Sequence, residues 1–188
     1  MRDLSLHLMD IIQNSISAKA PKIIIEISTD KAQDILMIKI VDNGSGMDSE
    51  LAAGVTDPFT TTRTTRKVGL GVPLLDACAA RSGGQLTVNS VKGQGTTLTV
   101  SFGICNIDRP PIGDIAETMV NVIMASPEIE FELVLDNEKE KFDFNSFEVK
   151  EHLGSVPITE YTVLAWIREF IDEGMKNVFE GVLDEING

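Results

Sequence analysis

The chain is poor in cysteine, histidine and large aromatic side chains. Its 188 residues include two cysteines, two histidines, one tryptophan and one tyrosine. Cys78 and Cys105 have neither the spacing of metal ligands nor that of a redox pair, and we expect Cys78 to be a small buried side chain in an apolar helix. No apolar run reaches the ~18–20 residues of a membrane span, and the N-terminal residues do not form a signal peptide. We therefore expect a cytoplasmic protein.

Basic residues are also few, with 16 Lys and Arg against 29 Asp and Glu and a net charge of −13. This balance argues against a general binder of nucleic acid or anionic membranes, which needs a basic face. Residues 1–105 carry ten basic and ten acidic side chains, whereas residues 106–188 carry six and nineteen. The shift, together with the linker-like stretch 106–111, predicts two modules: a neutral domain over 1–105 and an acidic module over 106–188.

Periodicity predicts a mixture of helices and strands in both modules. In the first it predicts helices over 3–18 and 72–81, strands over 22–28, 35–42, 85–90 and 96–102, and a loop over 44–68 with one short helix near 49–53. In the second it predicts helices over 112–125, 146–153 and 159–186, and a hairpin of strands starting at Ile129 and carrying Phe142 and Phe144. The apolar stripe of the last helix is expected to pack on that hairpin, with a dimer seam as the alternative.

The first motif that could carry chemistry lies on the first predicted helix. Asp10 and Asn14 are four residues apart, so they share one helix face. An Asn amide oxygen together with phosphate oxygens suits Mg²⁺, and an Asp one turn away could orient or deprotonate a water. The alternative is a polar stripe on a solvated helix.

The second motif follows a strand that is expected to be buried. Asp42 at the strand end could accept a hydrogen bond from an amino group such as that of adenine, while Gly44 and Gly46 would let the backbone approach a flat ring. The alternative is a turn that simply ends the strand.

The third motif spans residues 57–71 and combines hydroxyls, cations and glycines. Arg63, Arg66 and Lys67 could pair with phosphates, and the Gly69 and Gly71 pair opens a helix whose N-terminal amides favour anions. The alternative is a surface loop.

In that order, and followed by Gly93-Gln94-Gly95-Thr96-Thr97, these motifs resemble the Bergerat or GHKL ATP-binding superfamily. The segments DPFTTT, KVGLGVPLL, ARSGGQLTVNS and KGQGTTLTVSF are most similar to histidine-kinase catalytic domains. The resemblance implies an α/β two-layer sandwich, in which a mixed sheet carries helices on one face and ATP binds beneath a mobile lid. It also implies that Asn14 binds Mg²⁺, Asp42 binds adenine and Thr96 supports the adenine site, with the motif glycines shaping the pocket.

The chain departs from the histidine-kinase pattern at several positions. Asp10 stands where many histidine kinases have Asn, and a carboxylate there could act as a general base. Ser17 stands where a phosphate-binding cation is common, so that Arg63, Arg66 or Lys67 would have to supply the charge. The sequence begins at the first predicted helix of the domain, so we expect a stand-alone protein without a preceding phosphoacceptor hairpin. His152, within HLGSVPIT, echoes a phosphoacceptor motif, but a helix end with Gly154 as C-cap and Pro157 opening the next helix explains the same letters.

The leading hypothesis is a Mg²⁺-dependent ATP-binding protein of histidine-kinase type that transfers the γ-phosphate to a partner protein or hydrolyses ATP slowly. A nucleotide-gated binding module without catalysis and a conformational ATPase are the alternatives. The acidic module would supply partner recognition or dimerisation. We also expect residues 1–105 alone to bind ATP within roughly tenfold of the full chain.

Overall fold

The computed structural model describes residues 3–48, 52, 54 and 71–183. Its helices and strands follow the periodicity of the sequence closely. The first half contains α1 (Leu4–Ser17), β1 (Lys22–Asp30), β2 (Ile35–Asp42), α2 (Gly71–Arg81), β3 (Leu86–Val91) and β4 (Gly95–Gly103). The second half contains α3 (Ile115–Ala125), β5 (Glu130–Asp136), β6 (Lys141–Asn145), α4 (Ser146–Leu153) and α5 (Tyr161–Phe179).

The strands form one mixed six-stranded sheet in the order β3-β4-β2-β1-β5-β6. The β1–β5 pair is parallel, and the other neighbouring pairs are antiparallel. Alternate residues of β1, β2, β4 and β5 are buried, because one face of the sheet is covered by the helices. This architecture is the α/β sandwich expected from the sequence.

The sheet continues across the predicted boundary near residue 108. Strand β5 pairs with β1 over seven residues, from Lys22 opposite Glu130 to Ser28 opposite Asp136. The Lys22 amine lies 2.8 Å from a carboxylate oxygen of Glu130. Both predicted segments therefore contribute to the same sheet, and the division at 105/106 stays a prediction about which residues suffice to bind nucleotide.

The second segment also holds the start of α1. The backbone amide of Leu4 donates to the carbonyl of Pro111, and that of Ser5 donates to the carbonyl of Ile112, each at 2.9 Å. These bonds satisfy two of the amides that a helix N-terminus leaves without intrahelical acceptors. The position of α1 therefore depends on residues that follow the predicted boundary.

Three ends of two predicted helices were wrong. The last helix ends at Phe179 rather than 186, because Gly181 adopts a φ of +68° that ends the helical path. It begins at Tyr161 rather than at about Thr159, and α3 begins at Ile115 rather than Ile112, because Asp114 caps it through the Glu117 amide. The expected packing of the last helix on the β5–β6 hairpin is confirmed. The helix expected near 49–53 lies mostly outside the described residues.

Within the described part of the chain, no helix is long and apolar enough to cross a membrane.

Candidate functional site

The Asp42 carboxylate is the central polar group of the site, and it is 7% exposed. It stands at the end of β2 on the same face as the buried side chains of Leu36, Ile38 and Ile40. One carboxylate oxygen accepts a hydrogen bond from the Ser15 hydroxyl at 2.8 Å, and the other accepts one from the Gly44 amide at 2.9 Å. A carboxylate can accept about four hydrogen bonds, so both oxygens keep acceptor capacity.

At three glycines in and beside the loop after Asp42, the surrounding backbone is too close for a side chain. A Cβ on Gly46, whose φ is +61°, would lie 2.0 Å from the Val91 carbonyl oxygen. A Cβ on Gly95, whose φ is +111°, would lie 1.9 Å from the Asp42 carbonyl oxygen. Gly44 is restricted too, because its Cβ would lie 2.8 Å from the Ala18 carbonyl oxygen. The glycines of the second motif therefore hold the loop against α1 and the β3–β4 turn.

Thr96 lies opposite Asp42 in the β2–β4 register. The hydroxyl of Ser90 accepts a hydrogen bond from the Met47 amide at 2.8 Å and donates to the Gly95 carbonyl at 3.0 Å. The Thr96 hydroxyl lies 2.9 Å from that of Ser90. Either hydroxyl can donate in this contact, because each is both a donor and an acceptor. Thr96 thus supports the loop through Ser90.

Asp10 and Gly71 come together where α1 meets the start of α2. A Cβ on Gly71 would lie 3.1 Å from the Asp10 Cβ and 3.7 Å from one of its carboxylate oxygens. Asp10 is partly buried, whereas Asn14, one turn further along α1, is exposed. The N-terminus of α2 therefore lies beside Asp10, one turn from Asn14, and a helix N-terminus favours phosphate groups. Arg63, Arg66, Lys67 and Gly69 lie outside the described residues.

The whole set lies within the part of the chain that matches a known family. The family model described as "Histidine kinase-, DNA gyrase B-, and HSP90-like ATPase" matches residues 2–104. The chain belongs to this family. Membership supports an ATP-binding, histidine-kinase-like function, and the fold shown above agrees with it.

Three curated proteins are similar to about half of this chain. It is 34% identical over 104 residues to a "Putative sensor protein" of Shewanella frigidimarina, covering 54% of this chain and 16% of that protein. It is 33% identical over 109 residues to "Sensor protein kinase FleS" of Pseudomonas aeruginosa, covering 58% and 26%. It is 30% identical over 92 residues to "Sporulation kinase C" of Bacillus subtilis, covering 49% and 21%. The matched region is thus about a quarter or less of each relative.

A solved structure extends the likeness of fold into the second segment. The "Crystal Structure of N terminal domain of a DNA repair protein" superposes with a TM-score of 0.51 at 17% sequence identity. The match covers 76% of this chain and 52% of that one. At this identity the match concerns the fold alone.

The residues present fit a nucleotide with Mg²⁺ in their chemistry. Asn14 offers an exposed amide oxygen, and Mg²⁺ is usually held by one or two protein oxygens together with phosphate oxygens and waters. Among the described residues, no group of three or more His, Cys, Asp or Glu side chains could hold a metal ion. A metal at Asn14 would therefore depend on the phosphates of a bound nucleotide.

Neither histidine lies in this site. His7 is 3% exposed, and its Nε2 lies 4.0 Å from the Cys78 Sγ, between α1 and α2. Cys78 is buried, as expected. His152 is exposed, and its Nδ1 lies 2.7 Å from the Glu148 carbonyl oxygen. Gly154, with a φ of +60°, follows as the C-cap, which confirms the helix end at Leu153.

Sequence reasoning missed two hydroxyl groups that hold the site together. No motif predicted the contact of Ser15 with Asp42. A signal existed, because Ser15 continues the helical stripe of Leu4, Leu8, Ile11 and Ile12, although the buried face of α1 also contains Ser5 and His7. Ser90 carried no such signal, since its role depends on the β3–β4 turn meeting the glycine loop.

Proposed function

We propose that this protein binds ATP together with Mg²⁺ beside Asp42 and transfers the γ-phosphate to a partner protein or hydrolyses ATP slowly. The observation that carries the proposal is the buried Asp42 carboxylate, fixed by Ser15 and Gly44 at a loop where side chains cannot fit. A buried carboxylate with remaining acceptor capacity recognises an amino group. Adenine carries one at its six-position, whereas guanine carries a carbonyl.

The phosphates would lie toward the start of α2, near Asp10 and Asn14. Asn14 would hold Mg²⁺, which supplies charge neutralisation on the phosphates when it is bound. The α2 amides beside Gly71 would bind phosphate oxygens, as helix N-termini do in many nucleotide sites. The Asp10 carboxylate would accept the proton of an attacking water or hydroxyl, which is the role that its position near α2 supports. Arg63, Arg66 and Lys67 would add charge, as the sequence predicts.

The test of turnover uses γ-labelled ATP and the full chain. With Mg²⁺ we expect slow release of phosphate or labelling of an added partner, and neither in EDTA. Asp10→Asn should lower turnover at least about tenfold while ATP binds within about threefold of wild type, because the proton acceptor is lost and the nucleotide contacts stay. Asn14→Ala should remove the Mg²⁺ dependence of ATP binding.

The matched control is Gln13→Ala, an exposed side chain on the same helix, and it should change neither turnover nor binding. If Asp10→Asn turns over ATP at the wild-type rate, Asp10 is not the proton acceptor. If Asn14→Ala keeps the full Mg²⁺ dependence, the metal lies elsewhere.

A nucleotide-gated binding module is the second candidate, and one contact favours it. Helix α1 carries Asp10 and Asn14, and its N-terminal amides donate to the carbonyls of Pro111 and Ile112. Helix α3 also packs against α1. Nucleotide that shifts α1 would therefore alter the acidic second segment without any chemistry. Tight ATP binding by a wild-type protein that shows no turnover would favour this candidate.

A further inference from the structure

The second segment carries an open groove at the β6 edge of the sheet, away from the candidate nucleotide site. It lies on the edge strand β6 between α4 and α5, whereas Asp42 ends β2, three strands away. Its volume is about 490 Å³, within the usual range for binding pockets. Six apolar side chains line it: Phe144, Val149, Leu153, Val163, Trp166 and Phe170.

Large apolar side chains stay exposed in and beside this groove. Trp166 is 48% exposed and Phe147 is 51% exposed, and α4 buries only Ser146 among its eight residues. The Trp166 ring stacks on Phe170 at 5.3 Å, and Phe170 packs on Phe142 at 4.9 Å. These ring contacts fix the aromatic wall, so that little side-chain freedom remains to be lost on binding. Exposed, preorganised aromatic residues are typical of the anchors of protein interfaces.

The charge around the groove is negative. Asp143 and Glu148 line it, and residues 106–188 carry nineteen acidic against six basic side chains. Nearby cations already have partners: Lys141 pairs with Asp143 at 3.3 Å, and the Lys150 amine donates to a backbone carbonyl. Arg168 pairs with Asp114, which caps α3, and with Glu117 of that helix. Anionic lipid, nucleic acid and a second copy of this acidic chain would all be repelled.

We propose that this groove binds a basic amphipathic segment of a partner protein. Its apolar side chains would enter beside Trp166, and its Lys or Arg side chains would pair with Glu148, since Asp143 already pairs with Lys141. A groove with helical walls and an apolar floor suits an amphipathic helix, and opposite charge at its rim gives orientation and speed of association. The proposal does not depend on ATP binding, because none of these residues belongs to the candidate nucleotide site.

Trp166 is the only tryptophan of the chain, so its fluorescence reports on the groove directly. The probe is a tryptophan-free amphipathic helix of Lys and Leu, roughly 18 residues or five turns long. Titrated into the full-length protein, it should shift the Trp166 emission to the blue with saturation. A Glu/Leu peptide of the same pattern and a Lys/Ser peptide without an apolar face should not. Glu148→Lys should weaken binding of the Lys/Leu peptide about tenfold, or about 1.4 kcal/mol.

The matched control is Glu138→Lys, which makes the same change of net charge at an exposed turn beyond the far end of β6. It should alter the affinity less than about threefold, and both variants should keep the wild-type melting temperature within a few degrees. The proposal is overturned if the Lys/Leu peptide leaves the emission unchanged, or if the Glu/Leu or Lys/Ser peptide shifts it equally. It is also overturned if Glu138→Lys weakens binding as much as Glu148→Lys. A wild-type dimer that Trp166→Lys converts to a monomer would assign the groove to a second copy and overturn it too.

Discussion

Replacement of Ser15 by alanine tests how the Asp42 carboxylate is held. The Ser15 hydroxyl is 2.8 Å from an Asp42 oxygen, and the two residues are 4% and 7% exposed, so water cannot easily replace the lost donor. A hydrogen bond to a charged group contributes about 1.5–3 kcal/mol to stability. In a protein of this size 1 kcal/mol corresponds to about 2–4 °C, so Ser15→Ala should lower the melting temperature by roughly 3–12 °C.

ATP affinity should fall as well, by up to about tenfold, because the remaining Gly44 amide holds only the other carboxylate oxygen. The assays are thermal unfolding followed by circular dichroism and titration calorimetry with ATP. Ser17→Ala is the matched control: its hydroxyl donates to the Gln13 carbonyl on the exposed side of the same helix, and its loss should change stability by less than about 0.5 kcal/mol. Equal melting temperatures and affinities for the two variants would refute the reasoning.

Three further changes test the loop, the sheet junction and the division of the chain. Gly46→Ala should destabilise the protein by about 2–4 kcal/mol and abolish ATP binding. Gly93 has a φ of +79° but open space around it, so Gly93→Ala should lower the free energy of unfolding by only about 1–2 kcal/mol. Glu130→Gln should lower the free energy of unfolding by about 0.5–1 kcal/mol at pH 7. The reason is that the hydrogen bond from Lys22 lowers the pKa of the Glu130 carboxyl below its ordinary value of 4.5. This stabilisation is present above pH 4.5 and is lost as the pH falls below it. The fragment 1–105 should melt at a lower temperature than the full chain but, once folded, bind ATP within about tenfold, since every contact of the Asp42 site described above lies inside it.

Each of these predictions has its own failing result. Equal stability of Gly46→Ala and Gly93→Ala, measured by urea unfolding, would mean that the loop yields to a side chain. If the difference in free energy of unfolding between wild type and Glu130→Gln stays constant from pH 7 to pH 3, the ion pair with Lys22 is not the cause of that difference. A folded 1–105 fragment that cannot bind ATP would show that the acidic segment completes the nucleotide site.

The sequence predicted the elements well because their signals are local. The stripe of Leu4, Leu8, Ile11 and Ile12 on α1 and the alternation in the strands depend only on near neighbours, and both are confirmed. The family resemblance is confirmed over residues 2–104. The glycine loop after Asp42 could also be predicted from the local sequence, and Gly46 does adopt a positive φ there.

What the sequence did not reveal depends on contacts between distant segments. Parallel pairing of β5 with β1 joins residues more than 100 positions apart, and the charge shift at 105/106 gave no hint of it. The burial of His7 could not be predicted either, because helical spacing cannot show that α2 covers this face with Cys78. The roles of Ser15 and Ser90 likewise depend on which loops meet them.

The most direct test of the central claim compares ATP and GTP binding by the wild-type protein and by Asp42→Asn in titration calorimetry. The account predicts that wild type binds ATP at least about tenfold more tightly than GTP, because guanine offers no amino group at the six-position and a missing hydrogen bond at a buried carboxylate costs about 1–3 kcal/mol or more. Asp42→Asn should lose most of its ATP affinity while it stays folded. Equal binding of ATP and GTP by wild type, or normal ATP binding by Asp42→Asn, would contradict the assignment of Asp42 to the base.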